Sequence, residues 1–385
     1  MTILPPPEES PSAGRSNSEG LSIEIYLFHC GHGDTILVRL PNDCWGMIDC
    51  YLPEQYGIRK EFFRFIEKKK VKTSDFIFQT HPHRDHYHGM QAVIEHFLRR
   101  GQKIKCYIDT GLNAERARAL LQGEPGAPTE YGDLQDRLAE WRDAGYLVEW
   151  GELAARVLSV VPDGYEDQIE FVPIGPDPGE KRRIMEIDLR RLGINPKTRP
   201  EANELSLVIV LAVKMIDRTL NVLLSADAGL DSLVWALDYW RQRARRMGRD
   251  AELDAIKIPH HGSIKSHVPD LCLMKRPGTR GETAAVSAGI RRVLPDREVL
   301  RDYLANGWNV MATTKKGGSS ETSLPMMLAD RGAPDEGDRV RHTIRLSWSP
   351  ASGLSAEPAA AKVIMGDLTQ YETALARESK AGPNS

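Results

Sequence analysis

Long apolar runs, paired cysteines and a strong charge of either sign are all missing from this 385-residue chain. Its most apolar stretch, Leu205 to Val213, is too short to span a bilayer and reads as a central strand, so no membrane role is expected. The five cysteines, Cys30, Cys44, Cys50, Cys106 and Cys272, are scattered, odd in number and form no CxxC pair. That pattern argues against a disulfide framework or a cysteine-based zinc finger, and for reduced thiols in a cytoplasmic protein. A net charge of −3 gives no bulk electrostatic case for binding a polyanion. Basic runs such as Lys68-Lys69-Lys70 and Arg241 to Arg249 read as solvated helix faces. Any nucleic-acid contact would have to be local and assisted by metal. Residues 1–20 are rich in Pro, Ser, Glu and Gly, hold no apolar core segment, and read as a disordered lead without a signal peptide.

What is present is a run of strand patterns interrupted by helical ones, in two halves of the chain. Ile23 to Val38 reads as two strands around a tight turn at Cys30-Gly31-His32-Gly33-Asp34, with a third strand at Trp45 to Asp49. Tyr56 to Lys70 has helical spacing, with Phe62, Phe63 and Ile66 on one face. Further strands are expected at Ile169 to Val172, Leu205 to Lys214, Leu220 to Ser225, Ala255 to Ile258, Ala284 to Ser287, Val310 to Thr314 and His342 to Trp348. This order suits two packed sheets with helices outside, an αββα sandwich of the α/β class. The expected domain spans 21–350, with a mostly helical insertion at 113–160 that serves either as packing or as a lid or substrate platform. Residues 351–385 read as a C-terminal extension ending in a polar tail.

The densest chemistry is Thr80-His81-Pro82-His83-Arg84-Asp85-His86, directly after the apolar run Phe76-Ile77-Phe78. A ligand-rich loop at a buried strand end can aim alternate side chains at one point. Imidazoles with a carboxylate suit a borderline-soft divalent ion such as zinc, and two neighbouring ions are possible. His81 and His83 can share one ion, while Asp85 and His86 can hold a second. Arg84 reads as a solvated or supporting charge, and His88 is left open between ligand, support and neither. Two later strand ends add Asp227, whose two oxygens could bridge ions, and His260-His261-Gly262-Ser263. A lone Asp after a strand often only caps a helix; its value here lies in the combination.

The combination resembles the metallo-β-lactamase superfamily of dinuclear hydrolases, and more closely the soluble domain of ComEC-type DNA-uptake proteins. His29-Cys30-Gly31-His32-Gly33-Asp34-Thr35-Ile36-Leu37 is similar to that family's V-G-Q-G-D-A-I-L, and Trp45 to Cys50 to its strand ending in I-D. His81 to His86 matches H-x-H-x-D-H, Asn203 to Val208 resembles N-x-x-S-L-V, Asp227 matches a G-D strand end, and Pro259 to Ser263 matches P-H-H-G-S. Val286 to Gly289 resembles a later S-V-G, so the likeness runs from Ile23 to about Thr314. There are departures. His32 replaces a glutamine, Ser225-Ala226 replaces Thr-Gly, and Leu294-Pro295-Asp296 stands where an H-P motif is usual. The uptake family's membrane channel has no counterpart, so DNA transport is not implied.

The resemblance implies a metallo-β-lactamase fold and two divalent ions, zinc first and manganese as the alternative, sharing a bridging hydroxide. On this reading His81 and His83 hold the first ion, Asp85 and His86 the second, and Asp227 bridges them. One of His260 and His261 ligates the second ion, with His260 preferred; the other, His261, donates to substrate or leaving group. Asp34 and Asp49 orient ligands, and Asn203 stands near a position where other branches place a histidine. Ser263, Lys265 and Ser266 either contact a phosphate or merely cap a helix. The expected activity is a metal-dependent phosphodiesterase or nuclease, with Asp85 and His261 essential to turnover. The alternatives are hydrolysis of a small ester, lactone or cyclic nucleotide, and a partner-regulated component of a bacterial defence system. A protein partner is left open and the oligomeric state is not read. Antibiotic hydrolysis does not follow from such a fold.

Overall fold

The protein is described from a computed structural model, which covers residues 21–28, 30, 33–54, 57–121, 126–152, 160–186, 201–215, 218–277, 282–287, 294–313, 343–349 and 353–358. The expected disordered lead and polar tail lie outside the described residues.

The chain begins with three strands, β1 (Ile23–Phe28), β2 (Thr35–Leu40) and β3 (Cys44–Cys50), each antiparallel to the one before. The β2–β3 connection is a 3-10 turn at Pro41–Asp43, where Asn42 and Asp43 take left-handed φ angles of 57° and 55°. Both residue types tolerate that region. From β3 onward the pairing turns parallel through β4 (Phe76–Phe78), β5 (Ile104–Asp109) and β6 (Leu147–Glu152). Helices make each return: α1 (Ile58–Lys68), then α2 (Arg84–Tyr87) with α3 (Met90–Leu98), then α4 (Ala114–Leu120) with α5 (Ala127–Asp143). Among its described residues the segment 113–160 is helical through α5 but then adds β6 to the sheet, so its helices form a crossover between neighbouring parallel strands.

The second sheet starts antiparallel, with β7 (Ile169–Gly175), β8 (Val208–Lys214) and β9 (Thr219–Leu224). It continues parallel through β10 (Ala255–Lys257), β11 (Thr283–Val286) and β12 (Asn309–Ala312). Its helices are α6 (Pro178–Glu186), α7 (Leu230–Arg246), α8 (Pro269–Cys272) and α9 (Arg297–Ala305). The chain then returns to the first sheet, where β13 (Thr343–Ser349) pairs with β1 and β14 (Gly353–Pro358) pairs with β13. Among the described residues the first sheet thus has eight strands, in the order β14-β13-β1-β2-β3-β4-β5-β6, and the second has six. Part of the expected C-terminal extension is its edge strand.

The two sheets face each other because alternate residues on each strand point to opposite faces. On β8, Ile209, Leu211 and Val213 join Ile36, Ile48, Phe76 and Phe78 in the central layer, while Val208, Val210 and Ala212 pack with Leu233, Leu237 and Trp240 of α7. A strand covered on both faces must be apolar at every position, which is why this stretch reads as one continuous run. Phe171 sits edge-on to Phe76 and Phe78, at 5.2 and 5.4 Å between ring centres, and locks the sheets together. The outer face of the first sheet is covered by α1, α3 and α5 through Phe62, Phe97 and Leu134. The architecture is therefore the αββα sandwich of the α/β class. Lys68, Lys69 and Lys70 are exposed, as expected of a solvated helix end. Among the described residues, no helix is long and apolar enough to cross a membrane.

Candidate metal centre

Parallel pairing brings the carboxyl ends of successive strands to the same edge of a sheet, and the polar cluster grows from those ends. β3 ends beside Asp49, β4 leads into Thr80 to His86, β9 leads into Asp227, β10 ends on Lys257 before His260 and His261, and β11 leads into Ser287. The backbone is bent hard here. Asp49, Ala226, His260 and His261 have φ of 55°, 47°, 45° and 53°, a region costly for residues with a side chain and often found at functional sites. Gly33 allows a close approach: a Cβ there would lie 2.2 Å from the Asp85 carbonyl oxygen, against which Asp34 N–H donates at 3.1 Å.

The imidazole tautomers follow from the hydrogen bonds. Asp49 receives the Thr80 N–H on Oδ1 at 2.7 Å and the Thr80 hydroxyl on Oδ2 at 2.6 Å. Having given its one hydrogen to Asp49, the Thr80 hydroxyl accepts from His81 Nδ1 at 3.1 Å. His86 Nδ1 donates to Asp49 Oδ2 at 2.6 Å. In both rings Nδ1 then carries hydrogen and Nε2 is left to bind. The His81 and His86 rings are 3.9 Å apart, and His83 lies 5.0 Å from His81. Burial and the neighbouring His86 and His83 rings hold His81 well below the usual histidine range. Burial also works against a charged His86, but the carboxylates of Asp49, Asp227 and Asp85 outweigh it and push this ring well above that range.

Asp227 Oδ2 is the point on which the histidines converge. It lies 3.2 Å from His261 Nε2, 3.4 Å from His86 Nε2 and 3.9 Å from His260 Nε2. Asp85 approaches from the same side, 3.9 Å from His86 Nε2 and 4.0 Å from His261 Nε2. Although burial opposes ionisation, His261, His86 and Lys257 hold the Asp227 carboxyl well below the ordinary carboxylate range.

Asp34 is buried beside this group, with both oxygens already engaged. Ser287 Oγ donates to Oδ1 at 2.5 Å, and Lys257 Nζ forms an ion pair with Oδ2 at 2.5 Å. His261 Nδ1 lies 3.8 Å from Oδ1. The arrangement suits a carboxylate that orients its neighbours better than one that binds an ion. Asp49 is placed in the same way, behind His86.

Not all of the candidate residues enter the buried group. His83, Asp85, Asn203, Asp227 and His260 line an adjoining cleft of about 300 Å³, together with Tyr51 and Arg84. The side chain of His260 is partly exposed and its Nδ1 contacts Ser266 Oγ at 2.9 Å; His261, rather than the preferred His260, is the buried one facing Asp227 and Asp85. Ser263 caps a short 3-10 turn by accepting from the Lys265 N–H, and Lys265 is exposed. His88 is drawn away from the group to Glu130 of α5, which also binds Arg84 at 2.7 Å. Sequence reading overlooked Lys257, Thr80 and Tyr51. For Lys257 a signal existed: a lysine inside an otherwise buried strand, just before the two histidines.

The donor set fits a metal. His81 Nε2 is buried without a hydrogen-bond partner, a situation that costs about 1–3 kcal/mol unless something binds it, while His86 Nε2 and His261 Nε2 make no well-aligned hydrogen bond and face the Asp227 carboxylate at 3.4 and 3.2 Å. His81, Asp85 and His86 each offer an atom within 4.8 Å of the others, as do Asp34, His86, Asp227 and His261.

A two-sheet α/β sandwich with a His/Asp cluster at its strand ends is the class this geometry defines. No family model and no curated protein sequence matches the chain. Among solved structures, it is similar to the metallo-beta-lactamase fold protein YhfI from Bacillus subtilis at 8% identity and a TM-score of 0.39, covering 78% of this chain and 98% of that one. It is also similar to the metallo-beta-lactamase GOB-18 from Elizabethkingia meningoseptica at 13% identity and a TM-score of 0.28, covering 80% and 94%. Scores of this size leave the functional reading to the residues themselves.

Proposed function

We propose that the chain is a metal-dependent hydrolase of the metallo-β-lactamase type, acting on phosphodiester bonds. The observation that carries this reading is the convergence of His86 Nε2 and His261 Nε2 on Asp227 Oδ2 and Asp85, with the His81 ring, its Nε2 unpartnered, tilted against His86, next to an open cleft. His81 and His83 would hold one ion, Asp85, His86 and His261 a second, with Asp227 between them. Such ions supply an activated water and a Lewis acid for the scissile phosphoryl or carbonyl oxygen. Zinc is the first candidate, with manganese as the alternative.

The remaining residues position and protonate. Asp49, through Thr80 and His86, fixes the tautomers of two ligands. His260, whose Nδ1 contacts Ser266 Oγ and which opens onto the cleft, would take over from His261 the role of giving a proton to a leaving group. Arg84 and Asn203 line the same cleft and offer donors to an anionic substrate. The preference for a polynucleotide rests on the sequence motifs. A cleft of about 300 Å³ equally suits a small diester or a cyclic nucleotide, which is the second reading.

The test is cleavage of labelled single- and double-stranded DNA and RNA with zinc or manganese, alongside a small chromogenic phosphodiester, for the wild type and His83→Ala. Cutting of polynucleotide by the wild type alone supports a nuclease. Turnover of only the small diester supports the second reading. Hydrolysis that is indifferent to metal or to His83→Ala removes the proposal.

A further inference from the structure

We propose that Lys257 is a positioning residue that holds Asp227 in place for metal binding, a role that rests on the metal-centre reading above. The side chain is buried, with 3% exposure, at the end of β10. Its Nζ contacts the Ala226 carbonyl oxygen at 2.9 Å, Asp34 Oδ2 at 2.5 Å and Asp227 Oδ1 at 3.5 Å. Its backbone carbonyl accepts from Ser225 Oγ at 2.6 Å. Lys257 therefore grips the loop carrying Asp227 from both ends: its main chain holds Ser225, and its ammonium holds Ala226 and the carboxylate itself. The Ala226 carbonyl also accepts the His260 N–H at 3.0 Å, so the same contact ties the two ligand loops of the second sheet together. Through Asp34 the ammonium reaches across to the first sheet. The geometry leaves Asp227 Oδ1 facing the lysine and Oδ2 facing the three imidazoles.

The sign of the effect separates positioning from simple charge. An ammonium beside a cation site repels the ion, so removing it should by Coulomb's law alone tighten binding. If Lys257 orders Asp227, removing it should weaken binding instead, by about 10–100-fold as for other residues that support a metal ligand. Lys257→Met also leaves Asp34 buried without its cation, which destabilises the fold. The double variant Lys257→Met/Asp34→Asn removes both partners of that pair and keeps the comparison usable if the single variant does not fold.

The experiment is competition for zinc, and for manganese with the wild type, against a chromophoric chelator, using the metal-free wild type, Lys257→Met, Asp34→Asn and the double variant, with thermal unfolding of each metal-free protein. The expected result is that the double variant unfolds at a higher temperature than Lys257→Met yet binds zinc about 10–100-fold more weakly than Asp34→Asn. Zinc affinity in the double variant equal to or tighter than that of Asp34→Asn overturns the proposal, while leaving the metal centre standing. A wild type that binds no zinc or manganese overturns both.

Discussion

Asp49 Oδ2 lies 2.6 Å from His86 Nδ1, and both side chains are buried. A carboxylate accepts and does not donate, so this contact directs the other imidazole nitrogen toward Asp227 and Asp85. The same carboxylate, through the Thr80 hydroxyl, sets the tautomer of His81. One aspartate outside the candidate donor set thereby orients two of its imidazoles.

Asp49→Asn should therefore impair metal binding more than folding. The amide keeps the size and tolerates the φ of 55°, but it loses the carboxylate's double acceptance from Thr80 and His86. Metal affinity should fall by about 10–100-fold, measured by chelator competition. Unchanged affinity would show that His86 needs no such support.

Ala226 holds a φ of 47° immediately before Asp227. A left-handed conformation costs an alanine about 1–2 kcal/mol, and glycine enters it freely. Ala226→Gly should stabilise the protein by about 1 kcal/mol, seen as a higher midpoint in denaturant at unchanged slope. A lower midpoint would mean that the methyl group's packing outweighs the backbone strain.

Much of the candidate site was legible because its potential donors are concentrated in a few short stretches of sequence. The H-x-H-x-D-H run, Asp227 after an apolar strand and the paired histidines before Gly262 each stand at a strand end, and the structure draws those ends together. Choosing between His260 and His261 was beyond the sequence, because the left-handed turn at both residues decides which ring is buried. Lys257 went unread for a related reason: a lysine between two isoleucines looks like an outward residue on a strand until its partners, Asp34 and Asp227, are known to lie on other loops. In the fold, strands buried on both faces announced themselves, whereas β6 and β14 did not. Those two lie at the edges of the eight-stranded sheet, where neither a continuous apolar run nor burial on both faces is required.

Glu24 links β1 to its neighbours on both sides through Arg345 and Arg39. Burial raises its pKa, but the two guanidinium groups outweigh that and hold the carboxyl below its usual value of 4.5. A depressed folded pKa contributes stability above the unfolded value, and that contribution is lost as pH falls through the folded one. Because the two arginines are 34% and 43% exposed, the contribution is modest, about 1 kcal/mol. Glu24→Gln should lower stability by about that amount at neutral pH, and the gap to the wild type should close as pH falls well below 4.5. Chemical denaturation across that range is the check; a gap that persists unchanged into acid would contradict the ion-pair origin.

The central claim is that the buried His/Asp group is a metal centre, and counting metal tests it most directly. The protein would be stripped with chelator, reloaded with zinc or manganese, and its bound metal measured by elemental analysis, together with His86→Ala and Asp227→Ala. The account predicts about two ions per wild-type chain, fewer in each variant, and a melting temperature that rises on loading most in the wild type. A wild type that retains no ion and melts at the same temperature with and without metal would contradict it.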